Sequence, residues 1–148
     1  MTYATEQNLI DAFGQTELIA LTNLADPTAS TINTSVLSQN QNKAFGLING
    51  AIAKCPGIAV QMPFSSPYPE LLVGLELDIT RYFLDSISAR EDVRQRYEDA
   101  LAQLEKIGAC ELSLGLNSSD EVVNTSDRPA YGAYKQVFTP TTLCDYVD

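Results

Sequence analysis

The chain has 148 residues, 19 acidic against 9 basic side chains, a net charge of -10 and a hydrophobic content of 45%. That length suits one domain with a real core, and that composition suits a globular fold. The acidic balance argues against a surface that grips nucleic acid, which needs clustered Lys and Arg. A like-charged wall past which DNA slides stays compatible with it, and so does plain solubility.

Taken in order, "TEQNLIDAFG" predicts a short helix. Thr5 caps it, Leu9, Ile10 and Phe13 share one face, and Gly14 closes it. "QTELIALTNL" restarts as a second short helix at Thr16, and "ADPTASTIN" is a polar loop with turn chemistry at Asp26-Pro27. From Thr34 to Cys55, Leu37, Ala44, Leu47, Ile48, Ala51, Ile52 and Cys55 recur at helical steps. Gly46 and Gly50 leave a smooth strip on this helix where another could approach closely. "CPGIAVQMPFSSPYPE" breaks the pattern, because its prolines remove donors and fix φ, and it is expected to be an ordered loop.

A fourth helix is expected from Pro67 to Ser86, with Leu72, Leu75, Ile79, Tyr82 and Phe83 as its apolar stripe. The fifth, "SAREDVRQRYEDALAQLEKIG", holds four of the nine basic residues: Arg90, Arg94, Arg96 and Lys106. Ser88 and Glu91 have capping-box spacing, Asp92/Arg96 and Arg94/Glu98 have pairing spacing, and Gly108 can end the helix. Val93, Tyr97, Ala100, Leu101, Leu104 and Ile107 form its buried face. The short connection predicts an antiparallel hairpin in which Leu75, Ile79, Tyr82 and Phe83 pack against Val93, Tyr97, Leu101 and Leu104. The face from Leu37 to Ile52 completes the bundle. Asp78 flanks the apolar stripe and needs an Arg or a backbone donor. Arg81, Arg94 and Arg96, with Asp78, are the candidates for contact with a neighbouring subunit.

"LNSSDEVVNTSDRPAYG" is polar and linker-like, and beyond it Tyr134, Gln136 and Phe138 alternate with Lys135, Val137 and Thr139 in a strand-like period. The expected fold is therefore mainly α. A small bundle of two short N-terminal helices and three long ones occupies residues 1–116. A linker and an extended tail with a short β-strand follow at 117–148. Such a strand needs a partner surface. The docking candidates are Tyr134, Lys135, Val137, Phe138, Leu143 and Tyr146.

Catalytic chemistry is not supported. There is no histidine, the commonest general base and neutral metal ligand, and no phosphate-binding or nucleophile-elbow pattern. Glu76 with Asp78, and Asp120 with Glu121, are read as solvated acids without calcium-ligand spacing. No catalytic residue, cofactor or metal is expected. Cys55, Cys110 and Cys144 are odd in number and widely spaced, which predicts small apolar residues in a reducing cytoplasm and no disulfide framework. "MTYATEQNLI" lacks signal-peptide character, and no run approaches the length of a membrane span.

Several pieces together resemble a family of Mu-like phage and prophage proteins. They are "YAT" at Tyr3 to Thr5, "LIDAFG" at Leu9 to Gly14 and "TELIALT" at Thr16 to Thr22. Further along come "ELLVGLELDITRYFL" at Glu70 to Leu84, "VRQRYEDALAQLEKIG" at Val93 to Gly108 and "LSLGL" at Leu112 to Leu116. "QVFTPTTLCDY" is similar to the family's closing segment. The resemblance implies a head–tail connector, or adaptor, of the virion neck, assembled in the host cytoplasm. Such a protein forms a homo-oligomeric, usually dodecameric ring beneath the portal. Its implied partners are the portal protein, reached by the tail, neighbouring copies, a downstream neck or tail protein, and genomic DNA passing the lumen without sequence-specific binding. No membrane is involved. Two departures stand out: "AIAKCPGIAVQMPF" stands where family members often carry a Y-L-x-x-R-Y-x-L-P segment and lacks its Arg and Tyr, and Thr139-Pro140 replaces an arginine in the closing segment. The alternative reading is an acidic helical regulatory or scaffolding module that binds a phage or host protein.

Overall fold

A computed structural model describes residues 2–85 and 89–115. Among them the fold is wholly helical: α1 (Glu6–Phe13), α2 (Gln15–Thr22), α3 (Thr34–Ile52), α4 (Pro56–Ala59), α5 (Glu70–Leu84) and α6 (Glu91–Gly108). The tail strand expected after residue 116 lies outside the described residues.

Local chemistry places the helix ends. Thr5 caps α1 through a reciprocal box with Asn8, and Gly14 separates α1 from α2 at φ +86°, a conformation that favours glycine. Asn33 caps α3 by accepting from the Val36 amide at 3.3 Å. The proline-rich stretch is not all loop, since Pro56 opens the single turn α4. α5 starts later than expected. Pro69 is its N-cap, and Pro67 follows a cis bond outside the helix.

α6 departs from expectation at both ends. Its N-cap is Arg90, with no side-chain capping bond, and Ser88 lies outside the described residues. Glu91 is therefore the first helical residue and not the third, and its carboxylate turns forward to Arg94 at 2.6 Å. At the other end Cys110, not Gly108, takes the left-handed conformation, at φ 61°. The Glu111 amide reaches the Lys106 carbonyl at 2.8 Å and the Cys110 amide reaches that of Ile107 at 3.0 Å. That is the Schellman pattern. Gly108 serves a different need: a Cβ there would sit 3.1 Å from the Ala51 carbonyl oxygen, so its absence lets α6 approach the end of α3.

α3, α5 and α6 pack on one another in an up-down-up bundle. The main core joins Ala44, Ile48 and Ile52 of α3, Leu72, Leu75 and Ile79 of α5, and Ala100, Leu104 and Ile107 of α6. Phe83, Tyr97 and Leu101 are partly buried against it, and Val93 is buried. Tyr82 is half-buried and stacks on Tyr97, with ring centroids 4.0 Å apart and planes 5° apart. Leu37 belongs to a second cluster with Leu9, Leu18 and Leu84, which fastens α1 and α2 to the bundle. Among the described residues Gly46 and Gly50 admit no helix; a Cβ at either meets nothing there within 4 Å.

The cysteine expectation is corrected. Cys55 and Cys110 form a disulfide with Cα atoms 5.4 Å apart. Wide sequence spacing concealed the pair. Because α3 and α6 run parallel, residues just past their C-terminal ends meet at one end of the bundle. No helix of the described residues is long and apolar enough to cross a membrane.

Candidate functional site

α5 is the organising helix, because its polar residues face two different neighbours. Glu76 is fully buried, which corrects its reading as a solvated acid. It sits four residues after Leu72 and three before Ile79, on the apolar stripe itself. Its Oε2 accepts from the backbone amides of Tyr3 at 2.5 Å and Ala4 at 2.9 Å. Gln41 of α3 donates to the Ala4 carbonyl at 3.2 Å, and the Tyr3 hydroxyl donates to Asn49. The Tyr3 ring lies against Phe45, Phe64 and Tyr68. The N-terminal strap is thus held by a carboxylate, an amide and an aromatic cluster.

Burial pushes the Glu76 carboxyl above its ordinary value, opposed by the two amide donors. Burial, and then the Glu76 charge, push the Tyr3 hydroxyl up to about 12. Glu76 Oε1 and Thr80 Oγ1 are buried and have no hydrogen-bond partner among the described residues.

Arg81 faces the other side. It is buried, with its guanidinium 2.5 Å from Glu17 of α2 and 3.5 Å from Asp85, and it lies over the Phe13 ring at 5.9 Å. Arg90 joins the same Glu17 carboxylate at 2.6 Å. Arg81 therefore ties α2 to α5 within one chain. Sequence reading missed Glu17. The available signal was a basic residue three before Leu84 and four after Leu77, on a second stripe of α5 that faces α1 and α2.

Arg94 is exposed and pairs along its own helix with Glu91 at 2.6 Å and Glu98 at 2.9 Å. Those pairs raise its already high pKa. Asp92 approaches Arg90 at 4.0 Å, and the expected Asp92/Arg96 pair is absent.

Asp78 and Arg96 line the same groove between α5 and α6, with Glu70, Gly74, Asp99 and Gln103, over Leu71, Leu75 and Ala100; its volume is about 340 Å³. Asp78 is half-buried, and burial raises its pKa while Arg96 opposes the shift and Asp99 adds to it. Among the described residues Asp78 has no hydrogen bond and no ion pair within 4.0 Å, so they do not supply the direct partner expected for it. Tyr134, Lys135, Val137, Phe138, Leu143 and Tyr146 lie outside the described residues. Among the described residues no group of three or more Cys, Asp or Glu side chains could hold a metal ion.

Fold and surface together define a small helical-bundle protein that presents a charged groove beside a buried, intramolecular polar framework. The family model described as Bacteriophage Mu, Gp36 matches residues 3–131, and the chain belongs to that family. It is also similar to the "Mu-like prophage FluMu protein gp36" of Haemophilus influenzae (strain KW20/Rd), 43% identical over 49 residues. That stretch covers 33% of this chain and 35% of the relative, so the match spans about a third of each protein.

Proposed function

We propose that this phage protein is a structural head–tail connector of the virion neck. In this reading it forms a ring beneath the portal, links the capsid to the neck and tail, and leaves DNA free to pass through the lumen. It has no catalytic role. The observation that carries the reading is membership of the Mu Gp36 family over residues 3–131, a span that takes in the bundle and continues into the linker. The bundle suits the role. Its polar chemistry fixes the N-terminal strap and α2 internally, and its groove faces remain open for partners.

The net charge of -10 is consistent with a wall that DNA passes and does not bind. The segment beyond residue 116, with Val137, Phe138, Leu143 and Tyr146, would add to an exposed strand edge of the portal. Native mass spectrometry with purified portal tests this. The account expects a defined higher oligomer bound to portal, and loss of binding on deletion of residues 130 to 148. A monomer indifferent to portal would favour the regulatory-module reading.

A further inference from the structure

α6 separates two grooves, one acid-lined and one mainly apolar. Between α5 and α6, Glu70, Asp78 and Asp99 stand against one lining cation, Arg96, over an apolar floor. Between α3 and α6 lies a groove of about 260 Å³ floored by Leu47, Ala51, Leu101 and Leu104, open at Gly50, with Lys54 and Glu105 on its rim. Lys43 lies on α3 eleven residues before Lys54, which follows the helix's end, a span of about 16 Å at helical rise. Among the described residues neither lysine has a carboxylate within 4.0 Å, and Lys43 reaches the Asn40 side-chain oxygen at 3.4 Å. The open glycines Gly46 and Gly50 leave this face free of side-chain bulk.

We propose that the lysine-edged α3 face of one copy docks into the acid-lined α5/α6 groove of a second copy. Charge complementarity selects the occupant. The α3 face carries Lys43 and Lys54 against Glu105, the α5/α6 groove carries three acids against Arg96, and a chain of net charge -10 needs such local attraction to associate with itself. The spacing agrees. Glu70 and Asp78 are about 12 Å apart along α5, within reach of lysine stems based about 16 Å apart. Gly46 and Gly50 permit close backbone approach, and Leu47 meets the Leu71 side of the groove. Asp78 gains a partner that the described residues of its own chain do not supply. The contact joins two different faces, so it propagates head to tail and closes into a ring if the rotation allows. This deepens the connector reading and rests on it.

The test uses the full chain in sedimentation velocity. Lys43→Glu/Lys54→Glu reverses one face and Glu70→Lys/Asp99→Lys the other. Circular dichroism establishes that each is folded, with Lys54→Gln and Asp99→Asn as milder substitutes. Each variant alone should lose self-association by at least about tenfold. Mixed in equal amounts they should assemble again, because each then meets a complementary face on the other. Wild-type assembly should weaken with salt. Unchanged association of either variant places the interface elsewhere and leaves the connector reading standing, as does failure of the mixture to assemble. A wild-type chain that stays monomeric overturns the proposed interface. Absence of the chain from virions would instead overturn the connector reading.

Discussion

The backbone amide of Tyr3 donates to the buried carboxylate of Glu76 at 2.5 Å, across 73 residues of sequence. With the Ala4 amide on the same oxygen, this contact fixes where the N-terminal strap crosses α5. Glu76→Ala leaves two buried amides without an acceptor and should destabilise the fold by about 2–4 kcal/mol. Glu76→Gln keeps an acceptor for both amides and places an amide group where Oε1 has no partner. It should cost less than about 1 kcal/mol. Urea titration of both variants checks the order, and equal losses would contradict it.

The same carboxylate sets a pH dependence. Burial raises the folded value of Glu76, and that of Asp78, above the unfolded values. The folded chain therefore binds these protons more readily. The stability they contribute is present at low pH and lost as pH rises through the folded values. The melting temperature should climb as pH falls from neutrality towards the ordinary carboxyl range. Glu76→Gln/Asp78→Asn should flatten that climb; an unaltered slope would show that other groups govern it.

Arg81 is the buried charge of the α2–α5 contact. Arg81→Met should cost about 3 kcal/mol, the lower end for a broken buried pair, because Glu17 is 36% exposed and keeps Arg90. Adding Glu17→Gln should cost less in the Arg81→Met background than in the wild type. Additive losses in this double-mutant cycle would deny the coupling.

Two leucines of α6 differ in burial. Both line the α3/α6 groove, but Leu104 is buried in the core with α3 and α5 side chains, whereas Leu101 is half-buried. Leu104→Ala should cost about 2–5 kcal/mol and Leu101→Ala about 1 kcal/mol. Equal costs in thermal unfolding would contradict this assignment.

Much of this was legible in the sequence. The 3.6-residue period found the helices, Thr5 marked the first cap, and the short connection after α5 paired it with α6. Other features depend on three-dimensional placement. Glu76 reads as a surface acid until the strap supplies amide donors from 72 and 73 residues away. The pairing of Arg81 is hidden because its partner Glu17 lies 64 residues earlier, on another helix. Cys55 and Cys110 read as unrelated because only the parallel course of α3 and α6 brings their ends together.

That disulfide closes a loop of sequence separation 55, and its loss should cost up to about 4 kcal/mol through the unfolded chain's entropy. Comparing melts with and without reductant measures it. Alkylation of the unreduced protein should label Cys144 alone; labelling of all three cysteines would refute the bond.

The central claim is that this chain is a built-in part of the phage neck. Quantitative mass spectrometry of purified, DNA-filled heads, with and without tails, tests it most directly. The account predicts the chain in both kinds of particle, at a fixed ratio to portal that matches the ring. Its absence from both, with the protein recovered only from the lysate, would contradict a structural connector.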